Sequence, residues 1–285
     1  MTTEAKKYTE EIVEVSAADG VHLTGAVIRP AAGSIKPLPI VWIHGFTGRF
    51  YEPHALMIGR RLAERGYVFV TGNNRGHDVG TRIQPTGTAG QLAGAFWENL
   101  QESPLDIDAW ITFALTLGDY RRVALVGHSL GGMKSTYYMG TRGDDRVQGL
   151  VIASGPVWRY VGPAPDAAKR LDLARQLVAE GRGTDLLPVS DPVSAQNIAN
   201  GAPFRDDLFG WNGKQPASAR IKCPIFAFIG TEEEWIGKAE DLEALKRTAA
   251  ATSRLETRIF KGADHCYVGH EVEVADAIAG FVDSL

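Results

Sequence analysis

From residue 38 onwards, short apolar runs alternate with segments in which apolar residues recur at helical spacing. The apolar runs predict buried strands at 38–43, 67–72, 122–127, 149–154, 224–230 and 255–260. The periodic segments predict helices over 53–65, 104–117, 238–250 and 270–284, with a further helix from residue 130. Strands that are buried on both faces and joined by helices are typical of a mostly parallel, doubly wound sheet.

The alternation is interrupted twice. Near the start, β-branched runs at 11–17 and 21–28 flank the turn Ala18-Asp19-Gly20, which predicts an antiparallel hairpin. Later, a helical stretch at 165–181 is followed by segments rich in Pro, Asn, Gly and aromatic residues, which we expect to be loops. The interval 156–220 is too long for an ordinary connection between two strands.

These interruptions suggest a division of the chain into a core, an insertion and the remainder of the core. The core covers 1–155 and 221–285, and 156–220 is the insertion. We expect the insertion to be a helical cap or lid over the carboxyl edge of the sheet, where open α/β sheets bind their ligands. The alternative is that it extends the scaffold.

Composition and charge exclude several classes of partner. The chain has 285 residues with 30 Lys+Arg against 34 Asp+Glu, giving a net charge of −4, so nucleic acid and anionic lipid are disfavoured. The apolar runs are too short for a membrane span, and the charged N-terminus predicts a cytoplasmic protein. The two cysteines, Cys223 and Cys266, should lie at opposite edges of the sheet as reduced thiols. The sequence is compatible with a homodimer.

A glycine-flanked serine carries the strongest indication of chemistry. The sequence Gly127-His128-Ser129-Leu130-Gly131-Gly132 lies between a predicted strand and a predicted helix, as a G-x-S-x-G nucleophile elbow requires. Ser129 should have a strained backbone, and side chains in place of Gly127 and Gly131 would collide as the helix folds back.

A serine nucleophile needs a base and an acid from elsewhere in the fold. His265 is the preferred base, because it follows the last predicted strand and precedes the final helix. The acid should be one of three consecutive residues after the strand at 224–230, namely Glu232, Glu233 and Glu234. Asp264 adjoins His265, but neighbouring side chains on an extended chain point apart, so we expect a structural role for it.

Two backbone N–H groups should receive the oxyanion. Leu130, directly after the nucleophile, would supply one of them, and Phe46 in the glycine-containing loop 44–48 would supply the other.

HGFTG after the third strand, GHSLGG at the elbow and GADH before the last helix resemble the motifs of the α/β-hydrolase family, in the same order and along nearly the whole chain. The resemblance implies an α/β-hydrolase fold with Ser129 as nucleophile, His265 as base, and Phe46 and Leu130 as oxyanion donors. In the family's pattern the acid stands three residues after a glycine and three before an aliphatic residue. Counted from Gly230, this implies Glu233, although Asp is more usual there. The HGFTG form is also similar to cinnamoyl and feruloyl esterase-like members and other small carboxylesterases.

The sequence therefore predicts a serine hydrolase that cleaves a small or medium, apolar or aromatic carboxylic ester through an acyl-enzyme, without a metal or organic cofactor. Aromatic residues near the expected site are candidates for substrate binding: Phe50, Trp158, Tyr160, Trp211 and Trp235. A lactonase, thioesterase, C–C bond hydrolase or acyltransferase would use the same triad. A ligand receptor with vestigial hydrolysis belongs to a different class of function, and an intact triad argues against it.

Two further groups of polar residues have alternative interpretations. The acidic residues Glu98, Glu102, Asp106 and Asp108 are expected to form a solvated helix start, with recognition of a cationic substrate as the alternative. A metal site built from His44, His54, His77, Asp78 and His128 is disfavoured, because no pair of them has regular ligand spacing.

Overall fold

The computed structural model describes residues 7–33, 35–156, 166–187, 192–235 and 239–285. Its strands are β1 (Tyr8–Ser16), β2 (His22–Pro30), β3 (Ile40–Ile43), β4 (Phe69–Gly72), β5 (Thr81–Ile83), β6 (Gln91–Ala93), β7 (Val123–His128), β8 (Val147–Ala153), β9 (Leu186–Leu187), β10 (Val193–Ser194), β11 (Ile225–Gly230) and β12 (Leu255–Phe260). Its α-helices are α1 (Pro53–Glu64), α2 (Ser103–Thr116), α3 (Leu130–Arg142), α4 (Ala167–Ala179), α5 (Ala195–Phe209), α6 (Ala239–Thr248) and α7 (Glu271–Asp283), with 3₁₀ turns at Leu100–Glu102 and Ala217–Arg220. None of the helices in these ranges is long and apolar enough to cross a membrane.

One large sheet organises the fold. Within the described residues, eight strands form it in the order β1-β2-β4-β3-β7-β8-β11-β12. β2 pairs antiparallel with β1 and β4, and the remaining pairings in this sheet are parallel. The predicted doubly wound, mostly parallel sheet with an N-terminal antiparallel hairpin is therefore confirmed. β5 and β6 form a small separate hairpin that the sequence pattern did not predict.

Helices cover both faces of the sheet, and the alternation of side chains along each strand sorts the core into two layers. On β3, Ile40 and Trp42 pack in the cluster that contains the apolar residues of α1 and α7. Val41 and Ile43 point the opposite way, into the cluster that contains residues of α2 and α6. All four side chains are fully buried, as expected for a strand covered on both sides.

The strand order reverses between β3 and β7. From β3 the chain moves outwards to β4, and then returns to form β7 on the other side of β3. The connections that leave the carboxyl ends of β3 and β7 therefore diverge to opposite faces and leave a crevice between them. This reversal places the HGFTG loop beside the turn that carries Ser129.

The segment 156–220 contains a helix, α5, in a part of the chain that was expected to form loops. The loops were expected because the segment is rich in Pro, Asn, Gly and aromatic residues, and Pro203 lies in the interior of α5. The hydroxyl of Ser194 accepts a hydrogen bond from the N–H of Asn197 (3.1 Å) and caps the helix, while Phe204 and Leu208 are fully buried. Capping and burial thus outweigh the cost of the proline.

Two members of the acidic stretch are buried, so the expectation of a solvated helix start is wrong for them. The carboxylate of Glu98 lies 2.6 Å from the ammonium of Lys134, and both side chains are almost completely inaccessible. Asp106 is fully buried against the guanidinium of Arg75 (2.8 Å). Each cation comes from a distant part of the chain, so spacing along the sequence did not reveal either pair.

Both outer edges of the sheet carry exposed charged side chains. On β1, three glutamates are exposed, Glu10, Glu11 and Glu14. On β12, Glu256 and Arg258 are exposed. Charged residues at sheet edges disfavour pairing with further strands.

Breaking the buried pair at α3 should destabilise the protein. Lys134→Met leaves the Glu98 carboxylate buried without its cation, so we expect the free energy of unfolding to fall by about 3–5 kcal/mol. Lys134→Met combined with Glu98→Leu removes both charges and should recover most of this loss. Urea denaturation followed by circular dichroism measures both variants. Equal losses in the single and double variants would contradict the assignment.

A methyl group at Gly230 should also be costly. A Cβ at this position, the last residue of β11, would lie 1.9 Å from the carbonyl oxygen of Ala263 in the turn after β12. Gly230→Ala should therefore lower the free energy of unfolding by about 1–3 kcal/mol or more. The matched control is Gly280→Ala in α7, where a Cβ meets nothing within 4 Å and should stabilise the helix by about 0.5–1 kcal/mol. Similar thermal denaturation midpoints for the two variants would refute the prediction.

Candidate active site

Ser129 lies on a strained turn between β7 and α3. Its backbone has φ 55° and ψ −123°, a conformation that side chains other than that of glycine rarely adopt. Its N–H donates to the carbonyl of Ala153 (2.8 Å), so the strain is held by the pairing of β7 with β8. The expectation of a strained serine at the elbow is confirmed.

The elbow closes only because its neighbours are glycines. A Cβ on Gly127 would lie 2.3 Å from the carbonyl oxygen of Gly131, and one on Gly131 would lie 2.1 Å from that of Ile43. A Cβ on Gly45, in the loop after β3, would lie 2.8 Å from the Cβ of Ser129. The loop after β3 therefore packs directly against the serine.

His265 lies in the turn between β12 and α7, beside the elbow. The Nε2 of His128, the residue before Ser129, donates to the carbonyl oxygen of His265 (2.9 Å), and the two imidazole centroids are 4.9 Å apart. Asp264 accepts hydrogen bonds from the N–H groups of Cys266 (3.1 Å) and Val268 (2.9 Å). Asp264 thus has the structural role expected of it.

The imidazole of His265 is hydrogen-bonded to Glu233. Its Nδ1 lies 2.8 Å from one carboxylate oxygen and 3.0 Å from the other, and the Glu233 side chain is only 2% exposed. A carboxylate accepts, so in the neutral form of the ring the proton lies on Nδ1 and the lone pair on Nε2. Burial on its own would raise the pKa of Glu233, but the hydrogen bond and the charge of His265 hold it below its usual value.

The neighbouring glutamates make different contacts. A carboxylate oxygen of Glu232 accepts from the hydroxyl of Thr231 (3.2 Å). A carboxylate oxygen of Glu234 accepts from the backbone N–H of His265 at 3.4 Å. Of the three candidates left open by the sequence, the contacts described here join Glu233 to the imidazole.

A further pair of hydroxyls supports the carboxylate and was not found in the sequence. The phenol of Tyr267 donates to the hydroxyl of Ser154 (2.7 Å), and both residues are fully buried. A hydrogen bond from Ser154 contributes to the lowered pKa of Glu233. Ser154 directly follows β8 and has φ 47°, and a single serine at a strand end has no sequence pattern that would indicate this role.

The two predicted oxyanion donors lie on either side of the crevice. Leu130 is the first residue of α3, so its N–H has no partner within the helix. The ring of Phe46 stacks on that of Phe96 (centroids 5.9 Å apart), which holds the loop after β3 in place. In the same loop, Nε2 of His44 accepts from the N–H of Asn74 (2.9 Å), and burial lowers the pKa of His44 to about 3.

The predicted substrate-binding aromatic residues differ in their surroundings. Phe50 packs edge-to-face with Tyr51 (5.1 Å), and its ring is half-buried. Trp211 stacks on Phe209 (4.8 Å) in an apolar cluster that Leu130 also contacts. The side chain of Trp235 is 67% exposed. Two further candidates, Trp158 and Tyr160, lie outside the described residues.

The histidines of the disfavoured metal site are grouped differently in the structure. His77 is hydrogen-bonded to Asp78 (2.8 Å). His54 and His128 lie close to each other and to Cys266, and one donor atom from each of the three lies within 4.8 Å of the others. Cys266 and Cys223 are both free thiols, as expected.

Comparison with solved structures finds the same fold in several proteins. Est1E from Butyrivibrio proteoclasticus superposes with a TM-score of 0.66 at 18% identity, over 96% of this chain and 98% of that one. The esterase Pf2001 from Pyrococcus furiosus gives a TM-score of 0.62 at 17% identity, over 100% and 96% of the two chains. DcsB in complex with its substrate analogue gives a TM-score of 0.71 at 18% identity, over 97% of this chain and 99% of that one. No curated protein sequence matches the chain.

The family model of the alpha/beta hydrolase fold matches residues 39–208, which is more than half of the chain and includes the elbow, the loop after β3 and most of the insertion. With the sheet order and the strained serine described above, this match identifies the chain as a member of the alpha/beta hydrolase family.

Proposed function

We propose that the protein is a serine hydrolase that cleaves a carboxylic ester through an acyl-enzyme on Ser129. The observation that carries the proposal is the strained serine at the β7–α3 elbow, next to a histidine whose Nδ1 is bound by a buried carboxylate. This arrangement supplies a nucleophile, a base with its lone pair on Nε2, and an acid that fixes the tautomer.

The proposed reaction proceeds in two halves. His265 removes the proton of the Ser129 hydroxyl as its oxygen attacks the ester carbonyl, and Glu233 stabilises the resulting imidazolium. The N–H groups of Phe46 and Leu130 bind the oxyanion of the tetrahedral intermediate. His265 returns the proton to the leaving alcohol, and a water molecule then releases the acid from Ser129 by the same steps.

We propose an apolar or aromatic acyl or alcohol group for the substrate. Phe46 and Phe96 stack at one side of the crevice, and the cluster around Leu130 contains Phe204, Phe209 and Trp211 on the other. A solved structure of Est1E carries bound ferulic acid and superposes with a TM-score of 0.66. An aromatic ester is therefore the first substrate class to test, with Phe50, Trp211 and Trp235, and also Trp158 and Tyr160, as candidate binding residues.

We propose that the insertion at 156–220 acts as a cap, with 1–155 and 221–285 as the two parts of the core. Its helix α5 contacts the first turns of α3 through Phe204 and Leu208, which pack in the same cluster as Leu130 and Met133. The N–H of Ser194 donates to the carbonyl of Phe96 (2.8 Å), next to the Phe46 ring. These contacts support a position beside the acyl pocket.

Removing the nucleophile should abolish turnover. With p-nitrophenyl esters of short and medium acyl chains and with methyl ferulate, the wild-type protein should show a burst of product, and a fluorophosphonate should add to Ser129. Ser129→Ala should lower kcat by at least about 10⁴-fold and lose the adduct. Stopped-flow absorbance and mass spectrometry of the intact protein measure these outcomes. Equal release by wild type and Ser129→Ala would reject the acyl-enzyme on Ser129.

The acid can be tested against its neighbour. Glu233→Gln keeps the shape of the side chain but presents an amide to Nδ1 of His265, so kcat should fall by roughly 10³–10⁴-fold. The matched control is Glu232→Gln, whose exposed carboxylate contacts Thr231, and its kcat should stay within about twofold of the wild-type value. Steady-state kinetics on both variants decides. A larger loss of kcat in Glu232→Gln than in Glu233→Gln would show that Glu233 is not the acid.

A further inference from the structure

Three soft donor groups meet directly beneath the candidate active site. His54 lies on α1, His128 ends β7, and Cys266 lies in the turn after β12. One ring nitrogen from each imidazole and the thiol sulfur all lie within 4.8 Å of one another, and the two imidazole centroids are 4.8 Å apart. Because three separate elements contribute, the cluster is a product of the tertiary fold and has no regular spacing in the sequence.

The hydrogen bond of His128 leaves Nδ1 as the ring nitrogen that can bind a metal. Its Nε2 donates to the carbonyl oxygen of His265 at 2.9 Å, and since a carbonyl only accepts, the free lone pair lies on Nδ1. Histidine ligands in metal sites characteristically donate their second ring N–H to a carbonyl or carboxylate in this way. Burial lowers the pKa of His54 to about 4 and that of His128 well below its usual value, so both rings are neutral.

The surroundings of the thiol are negative. Burial, followed by the carboxylates of Asp264, Glu52, Glu234 and Glu233, raises the pKa of Cys266 to about 11. Negative charge that disfavours a free thiolate favours a cation at the same place. Cys266 and Asp264 are only half-buried, which leaves a route from the surface.

We propose that His54, His128 and Cys266 form a binding site for a thiophilic cation of the zinc class. Donor atoms around a tetrahedral zinc ion lie roughly 3.3–3.6 Å apart, so the cluster has to contract by about 1 Å. Binding replaces the thiol proton of Cys266, which leaves to solvent, and water fills the fourth position. Two imidazoles and one thiolate are a donor set that suits zinc and disfavours magnesium or calcium.

The site adjoins the groups that the proposed reaction uses. His128 precedes Ser129, Cys266 follows His265, and the rings of His128 and His265 are 4.9 Å apart. Contraction of the cluster around an ion moves Cys266 and His128, which are the chain neighbours of His265 and Ser129, and a displacement of about 1 Å is enough to misalign a base and its nucleophile. The cation should therefore inhibit hydrolysis. This effect on the rate rests on the proposed function, whereas the metal site does not.

Cobalt(II) titration tests the site without reference to activity. Reduced protein titrated with Co²⁺ should develop a thiolate-to-cobalt charge-transfer band in the near ultraviolet, with one ion bound per chain. Cys266→Ser should lose the band, and His54→Gln should weaken cobalt binding at least about tenfold. The matched control is Cys223→Ser, which removes the other free thiol and should keep the band.

Zinc inhibition is measured separately, as the ratio of ester hydrolysis with and without Zn²⁺ in each variant. The concentration of zinc for half-inhibition should rise at least about tenfold in Cys266→Ser and stay unchanged in Cys223→Ser. Absence of the cobalt band in wild type, or its persistence in Cys266→Ser, would overturn the site. Equal zinc inhibition of wild type and Cys266→Ser would overturn its link to catalysis. A cobalt band in a protein without esterase activity would uphold the site and reject the proposed function.

Discussion

The close approach of three backbone segments at the carboxyl ends of β3 and β7 is the constraint on which the site depends. The first turn of α3 passes so near the carbonyl of Ile43 that Gly131 has no room for a side chain. The same contact brings Gly45 against Ser129 and sets the loop after β3 beside the first N–H groups of α3. A backbone this tightly packed can hold Ser129 in a strained conformation, because relaxing the strain would require moving two strands.

Two buried ion pairs hold the elements around this contact. Lys134, one turn into α3, pairs with Glu98. Arg75, after β4, pairs with Asp106 on α2. Ion pairs inside a protein are weak sources of stability, but they strongly penalise arrangements that separate them. The positive charge of Lys134 also contributes to the lowered pKa of His44, after burial. Burial lowers the pKa of His44, His54 and His128 and so favours their neutral forms, whereas His265 is more accessible.

Much of the fold and part of the site were predictable from local pattern. The parallel strands, the elbow around Ser129 and the position of His265 follow from apolar runs and glycines that act over a few residues. The choice of Glu233 among three consecutive glutamates required a family resemblance, because position after β11 does not separate them. What stayed hidden depends on contacts between distant segments. Ser154, which follows β8, donates a hydrogen bond to Glu233. Lys134 on α3 pairs with the buried Glu98. The packing of Phe204 and Leu208 keeps α5 helical despite Pro203.

The charged edges of the sheet bear on how copies of this chain meet. If two β1 strands paired across a twofold axis, the exposed glutamates Glu11 and Glu14 of one copy would come close to those of the other, whereas Glu10 is already paired with Arg60 (2.6 Å). Like charges on adjacent strands repel, so continuous sheets that run through several molecules are disfavoured at this edge. The charged side chains on β1 therefore oppose edge-to-edge assembly of copies through this strand.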